Sequence, residues 1–281
     1  MLPIRALPWW TSGATSFVSN LLKWYPSFIG RNCTAFEVGS GNSTLFLLNN
    51  GVRVTCVDDD EKYATFITKT ASAAGYKTQI TDDLRAVNNC NDLTIVLTEP
   101  YSKQIPGTRF QSLDVDSHNL QHDFLINDGI ERTFFIRKFR ECKNSFIIQD
   151  NCENAANWGR LSRASAKKML VEEYRSFLRD PDWNKVSFEQ VEGRNGRSVP
   201  DAAGWEAPGR WITTISWHKE SDAHQLMLTD IGLPLTNSHG IGDIDLESLE
   251  DRCPFDWHKM EWQNQDEYPR SLDLGLDRNY G

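Results

Sequence analysis

The chain has 281 residues and is 39% hydrophobic, which is enough for one α/β domain of roughly 200 residues and an appendage. No stretch approaches the run of about 18 apolar residues that a membrane-spanning helix needs, and the N-terminal residues lack the apolar core of a signal peptide. The six cysteines are scattered without a CxxC pair, which argues against a zinc site or a disulfide framework. We therefore expect a cytoplasmic protein in a reducing environment, with no membrane partner.

The net charge of −9 is concentrated at the end of the chain. Residues 220–281 hold 14 acids and 4 bases, whereas residues 1–219 hold 25 acids and 26 bases. We expect this acidic extension to wrap over the domain, because it also contains Trp257 and Trp262. The alternative is an acidic contact surface for a protein partner. Nucleic acid is disfavoured as a partner, since a near-neutral domain with an acidic extension repels a phosphate backbone.

Residues 1–33 are predicted to form a leader segment with one helix, from Ala14 to Tyr25, which ends before Pro26. Aromatic pairs at positions 9–10 and 24–25 flank this helix. They pack against the sheet of the following domain or, alternatively, close over a bound cofactor.

The stretch from Thr34 to Leu48 combines a short apolar strand, a glycine turn and the start of a helix. The strand ends in an acid, Glu37, and the next apolar run begins at Leu45. Glycines let the backbone come close to a ligand, and the first turn of a helix offers unpaired N–H groups. We expect a small polar ligand between the strand and the helix, at Gly39, Ser40, Gly41, Asn42 and Ser43.

This loop resembles motif I of class I S-adenosylmethionine (SAM) methyltransferases, in which an acid precedes Gly-x-Gly. It matches a dinucleotide fingerprint less well, because Thr44 stands where the third glycine belongs and Glu37 would repel a diphosphate. The resemblance implies SAM as cofactor, with Glu37 at its cationic methionine end. An ordinary strand-to-helix turn is the structural alternative.

Two further acids extend the resemblance. A second predicted strand, residues 54–57, ends in Asp58 and is followed by a helix from Glu61 to Ala74. Asp58 aligns with motif II, which implies contact with the ribose hydroxyls, and Asp60 or Glu61 caps the helix. A third predicted strand, residues 77–80, leads to Asp82, which resembles motif III and implies contact with the adenine amino group. The alternative for Asp82 and the neighbouring acid at position 83 is a solvated turn.

Two segments compete for the fourth strand. Residues 93–98 precede Glu-Pro-Tyr at 99–101, which resembles the Pro-Pro-Tyr signature of amino-methylating nucleic-acid enzymes but lacks its first proline. Residues 123–127 precede Asp128 and fit better, because a helix over 133–142 and a strand over 145–148 follow, as in small-molecule methyltransferases. The earlier segment then forms one extra strand, and residues 101–120 form an insertion near the site.

The next strand leads to Asp150 and Asn151, which we expect at the carboxyl edge of the sheet beside Asp128. An Asp after one strand and Asp-Asn after the next resembles the metal site of catechol-type O-methyltransferases. That resemblance implies Asp128, Asp150 and Asn151 as ligands of Mg²⁺. The alternatives are a metal-free site in which Asp128 or Asp150 is the catalytic base or contacts substrate, and a purely structural role in turns and caps.

The C-terminal half is predicted to contain a helix over 165–178 and two alternating strands over 185–191 and 210–217. An antiparallel final hairpin is a hallmark of the methyltransferase sheet. The resemblance therefore implies an α/β fold with a Rossmann-like class I methyltransferase sheet over residues 34–219. This sheet is mostly parallel with an antiparallel C-terminal hairpin and has helices on both faces.

The function implied is methyl transfer from SAM to an O or N nucleophile of a small molecule or glycan. Orientation of the nucleophile would supply most of the catalysis, with a carboxylate taking the proton. Two alternatives stay open: another transfer reaction on the same fold, such as aminopropyl transfer, and a non-catalytic partner subunit that retains the fold.

Overall fold

The computed structural model describes residues 6, 8, 10–87, 90–98, 115, 120–128, 132–150, 176–177, 180–190 and 211–221. The helices are α1 (Ser12–Ile29), α2 (Asn42–Asn49), α3 (Glu61–Ala73) and α4 (Arg132–Phe139). The strands are β1 (Thr34–Val38), β2 (Arg53–Asp58), β3 (Thr78–Thr81), β4 (Leu93–Leu97), β5 (Phe124–Asn127), β6 (Phe146–Gln149), β7 (Trp183–Gln190) and β8 (Trp211–His218). None of the helices in these ranges is long and apolar enough to cross a membrane.

The eight strands form one sheet in the order β3-β4-β2-β1-β5-β6-β8-β7. Strands β1 to β6 pair in parallel, whereas β8 pairs antiparallel with both β6 and β7. The predicted fold class, a mostly parallel sheet with an antiparallel C-terminal hairpin, is confirmed. Because β2 lies on one side of β1 and β5 on the other, the order of winding reverses at the carboxyl end of β1.

The two faces of the sheet carry separate hydrophobic clusters, as the alternation of side chains along a strand requires. In β1, Ala35 belongs to the cluster that includes residues of α1, α2 and α3. Phe36 and Val38 belong to the opposite cluster, with Phe135 and Phe139 of α4. Helices therefore cover both faces, as predicted.

Helix α1 continues through Pro26 to Ile29, so the prediction that it ends before Pro26 is wrong. Proline removes one backbone donor, but the helix is held at both ends. The Thr11 side chain accepts a hydrogen bond from the N–H of Ala14 (3.4 Å), and Gly30 adopts a left-handed conformation (φ 69°) that ends the helix.

The aromatic residues around α1 differ in their environment. Trp10 and Tyr25 are buried in the core, where the ring of Tyr25 contacts those of Phe124 and Phe146. Trp24 is 54% exposed. Packing against the sheet, the first of the two predicted roles, therefore applies to Trp10 and Tyr25.

Both candidates for the fourth strand are strands. Strand β5 pairs with β1, as expected of the better candidate, whereas β4 is the extra strand and lies between β2 and β3. Three predicted segments lie wholly or mostly outside the described residues, namely the insertion at 101–120, the helix over 165–178 and the acidic extension.

Candidate functional site

The candidate site lies at the carboxyl edge of the sheet, where the winding reverses. In β1, Val38 pairs with Val57 of β2 on one side and with Asn127 of β5 on the other. Asn127 pairs in turn with Gln149 of β6. This register brings the residues that follow these four strands to one edge, namely Gly39, Asp58, Asp128 and Asp150.

The glycine loop turns sharply away from β1 into α2. Gly39 has a φ of 85°, a conformation that side chains other than glycine rarely adopt, and its N–H donates to the carbonyl of Val57 (2.9 Å). The N–H of Gly41 donates to the Thr44 hydroxyl (2.8 Å), which closes the first turn of α2. The loop is therefore held by β2 on one side and by α2 on the other.

Asp58 points into this loop and is buried, with 7% of the residue exposed. Its Oδ2 accepts from the backbone N–H of Ser40 (2.8 Å) and from the Ser40 hydroxyl, and its Oδ1 accepts from the N–H of Asp60 (2.9 Å). Burial raises the pKa of Asp58. The carboxylate predicted to bind ribose is thus joined directly to the Gly39–Gly41 loop.

Glu37 lies beneath the loop and is completely buried. Its Oε1 accepts from the Ser43 hydroxyl, and its Oε2 accepts from the Thr44 hydroxyl (2.6 Å) and the Cys56 thiol (3.4 Å). Burial raises the pKa of Glu37 to about 8, the hydroxyl donors oppose this shift, and the negative charge of Asp128 adds to it. Both carboxylate oxygens are used within the protein, and they join β1 to the start of α2.

Asp150 is buried, with 1% of the residue exposed, and it connects two distant parts of the chain. The Thr213 hydroxyl in β8 donates to its Oδ1 (2.8 Å), and the N–H of Thr11 donates to the same Thr213 oxygen (2.9 Å). Through Thr213, the start of α1 therefore lies close to Asp150.

Asp128 is half-buried and follows Asn127, which pairs with Val38 directly before the loop. This register places Asp128 beside the loop, and its negative charge contributes to the raised pKa of Glu37.

The predicted metal site is only partly visible. Asp128 and Asp150 follow neighbouring strands in register, but Asn151 lies outside the described residues. Within the ranges that the structure describes, no three His, Cys, Asp or Glu side chains are grouped as a metal site. Mg²⁺ binding by Asp128, Asp150 and Asn151 stays a prediction.

Asp82 lies at the end of β3, and β4 separates that strand from β2. At the usual spacing of about 4.8 Å between strands, the ends of β3 and β2 are roughly 10 Å apart. Asp82 is exposed, whereas Asp83 caps the short turn after β3 by accepting from the N–H of Arg85 (2.9 Å). The structure does not bring Asp82 together with Asp58.

Sequence reasoning missed Thr98, which follows β4 and lies next to Asp58. Its N–H donates to the carbonyl of Asp58 (2.7 Å), and its buried hydroxyl has no hydrogen-bond partner among the described residues. The same holds within the described part of the chain for the buried side-chain oxygen of Asn42, at the start of α2. The signal for Thr98 was its place directly after the apolar run of β4. Thr213 was missed as well, since nothing in the sequence near it points to Asp150.

No family model matches the chain, and no curated protein matches it in sequence. Solved structures do resemble it. Cofactor-bound Rv0187 from MTB has 16% identity, covering 78% of this chain and 84% of that chain, with a TM-score of 0.44. The SAH-bound methyltransferase PaMTH1 from Podospora anserina has 10% identity, covering 72% and 78%, with a TM-score of 0.39. The precorrin-6y C5,15-methyltransferase from Geobacter metallireducens GS-15 has 12% identity, covering 73% and 88%, with a TM-score of 0.34. Similarity at this level does not extend to individual residues of the site.

Proposed function

We propose that this protein is a SAM-dependent methyltransferase that transfers a methyl group to an O or N nucleophile of a small molecule or glycan. The observation that carries the proposal is the carboxylate of Asp58, held against the Gly39–Gly41 loop at the point where the winding of the sheet reverses. Open α/β sheets bind their ligands at such a point, and a carboxylate can accept hydrogen bonds from a ribose diol.

The residues at this edge fit a nucleoside ligand. The side-chain oxygens of Asn42 and Thr98 are both buried and have no partner in the ranges that the structure describes, one at the start of α2 and the other beside Asp58. A buried polar atom without a partner is unfavourable, so a polar ligand that supplied partners to both would gain affinity. This favours a bound cofactor over an ordinary turn.

SAM, when bound, would supply an electrophilic methyl group on a positively charged sulfur. We assign the protein's own contribution to binding and proton transfer. Asp58 would hold the ribose, and Gly39 would let the backbone approach the ligand. Glu37 accepts a hydrogen bond from Ser43 and so holds the loop in place. Through this loop it would act at the methionine end of SAM.

Asp128 and Asp150 are the proposed acid–base residues. Asp128 is half-buried beside the loop, which suits a carboxylate that accepts a proton from the incoming hydroxyl or amine. Asp150 is held by Thr213, which suits a carboxylate that orients the acceptor. The competing proposal is that both carboxylates and Asn151 bind Mg²⁺, and dialysis against a chelator before an activity assay separates the two.

The deciding experiment is calorimetric titration with S-adenosylhomocysteine (SAH), with NAD as a control ligand. Wild-type protein is expected to bind SAH at micromolar concentration and not to bind NAD. Asp58→Ala and Asp58→Asn are expected to weaken binding at least tenfold, because the ribose loses a charged acceptor, which contributes about 1.5 to 3 kcal/mol. Asp92→Asn is the matched control, since Asp92 also accepts from a backbone N–H, that of Lys77, but at the opposite end of β4.

Failure of wild-type protein to bind SAH would refute the proposal. A folded protein with this sheet and no affinity for SAH would instead fit a non-catalytic partner subunit. SAH binding without methyl transfer to any acceptor would direct attention to other transfer reactions from the same cofactor, such as aminopropyl transfer.

A further inference from the structure

The hydrogen bonds that Asp58 already accepts leave fewer acceptor positions than the proposed ligand, a ribose diol, requires. A carboxylate has about four positions at which it accepts hydrogen bonds. Among the residues that the structure describes, three donors use these positions: the N–H of Ser40, the hydroxyl of Ser40 and the N–H of Asp60. A ribose diol requires two, so one of the three existing donors must leave when the diol binds.

Only one of these donors can leave at small energetic expense. The N–H groups of Ser40 and Asp60 belong to the backbone, and the loop that carries Ser40 is fixed on both sides by the bonds of Gly39 to Val57 and of Gly41 to Thr44. The Ser40 hydroxyl moves by rotation about a single side-chain bond. Ser40 is half-buried, which leaves its side chain space at the surface.

We propose that the Ser40 hydroxyl occupies the place of a ribose hydroxyl on Asp58 in the free protein and rotates away when the nucleoside binds. Ser40 is thus a positioning residue that keeps a buried carboxylate hydrogen-bonded while the site is empty and competes with the ligand for it. This inference rests on the proposed function, since it takes the ligand of Asp58 to be a ribose.

Two consequences distinguish this role from a merely structural one. Removal of the Ser40 hydroxyl lowers the stability of the free protein but not that of the complex, because its hydrogen bond to Asp58 exists only before the ligand binds. Removal also tightens the binding of a ligand with a vicinal diol, whereas a ligand without the diol does not displace the hydroxyl and gains nothing. A loop residue that only maintained structure would weaken binding of both ligands when truncated.

The test is calorimetric titration of wild type, Ser40→Ala and Ser43→Ala with SAH and with its 2′,3′-dideoxy analogue. Ser43 is the matched control, because its hydroxyl donates to Glu37 in the same loop and not to Asp58. Ser40→Ala is expected to bind SAH about three- to tenfold more tightly than wild type, as the loss of one competing hydrogen bond predicts. It should bind the dideoxy analogue with unchanged affinity, and Ser43→Ala should not bind SAH more tightly.

Thermal unfolding gives a second readout. Ser40→Ala should melt below wild type without ligand and at the same temperature in saturating SAH. If wild type binds SAH and Ser40→Ala binds it equally or more weakly, the inference is overturned and the proposed function stands. If wild type does not bind SAH, the proposed function falls and takes this inference with it.

Discussion

The ionisation of Glu37, which lies beneath the loop of the candidate site, can be tested without any ligand. Its pKa is raised to about 8 from the ordinary value of 4.5, chiefly by burial. Between these two pH values the folded protein retains a proton that the unfolded chain releases, so the free energy of unfolding falls as pH rises through this window. One such group contributes a slope of at most about 1.4 kcal/mol per pH unit.

Glu37→Gln is therefore expected to flatten the decline in stability between about pH 5 and pH 8, measured by urea unfolding at several pH values. The exposed Glu141 provides the control, and Glu141→Gln should follow the wild-type curve. Equal slopes for wild type and Glu37→Gln would mean that Glu37 is already ionised in the folded protein.

Gly39 allows conformation and binding to be tested separately. Its φ of 85° makes alanine unfavourable by about 1 to 2 kcal/mol, and Gly51, with a φ of 78° and open space around it, carries the same penalty far from the site. We expect Gly39→Ala and Gly51→Ala to lower stability alike in urea unfolding, and only Gly39→Ala to weaken SAH binding. Weaker binding by both variants would show that general destabilisation causes the loss.

At the scale of residues, local patterns predict Glu37, Gly39 and Asp58 as site residues, because an acid or a glycine at a strand end is a short signal. The structure places Glu37 and Asp58 in contact with the loop, and their roles toward a ligand stay predictions. The bond from Thr213 to Asp150 spans 63 positions and depends on where β8 enters the sheet, so no local pattern reports it. The sequence shows Thr98 after an apolar run, but its closeness to Asp58 follows only from the pairing of β4 with β2.

At the scale of elements, Thr213 joins β8 to the start of α1 and to Asp150. Thr213→Val removes the hydroxyl while keeping the shape, and should lower the free energy of unfolding by about 1 to 3 kcal/mol, because a buried carboxylate and a backbone N–H each lose a partner. Thr214→Val is the control, since within the described residues the Thr214 hydroxyl bonds only to another neutral hydroxyl, that of Ser187. If urea unfolding shows that Thr213→Val loses no more free energy of unfolding than Thr214→Val, this account is contradicted.

Most elements were predictable to within one to three residues at each end, since their apolar periods are clear. One prediction was wrong and one feature was not predicted, and both have physical causes. Helix α1 passes Pro26 because its buried face, with Leu21 and Leu22, packs against the sheet and outweighs one missing N–H. The place of β4 between β2 and β3 could not be read from the sequence, because strand order depends on the path of the connections and not on the strands themselves.

At the scale of the whole molecule, the acidic extension can be tested by truncation. If residues 222–281 wrap over the domain as the sequence predicts, a chain that ends at Ser221 loses the burial of aromatic side chains such as Trp257 and Trp262. Its free energy of unfolding should then fall by roughly 2 kcal/mol per large side chain uncovered, measured by urea unfolding.

The double substitution Trp257→Ser and Trp262→Ser in the full chain should reproduce that fall. Unchanged stability in both variants would instead favour the other prediction, an acidic surface for a protein partner. The sequence does not distinguish an extension that wraps over the domain from an acidic surface for a partner, because its charge and aromatic content are compatible with both.

The contact between Thr11 and Thr213 also bears on how the protein is made. The two residues stand 202 positions apart, and at a synthesis rate of about 5 to 20 residues per second the ribosome needs on the order of 10 to 40 s to travel between them. During that interval a nascent chain can pair β1, β2 and β5 and form the glycine loop, but Asp150 has no Thr213 to bond. The half of the candidate site that holds Asp58 and the glycine loop can therefore exist on the ribosome well before the half that holds Asp150 is complete.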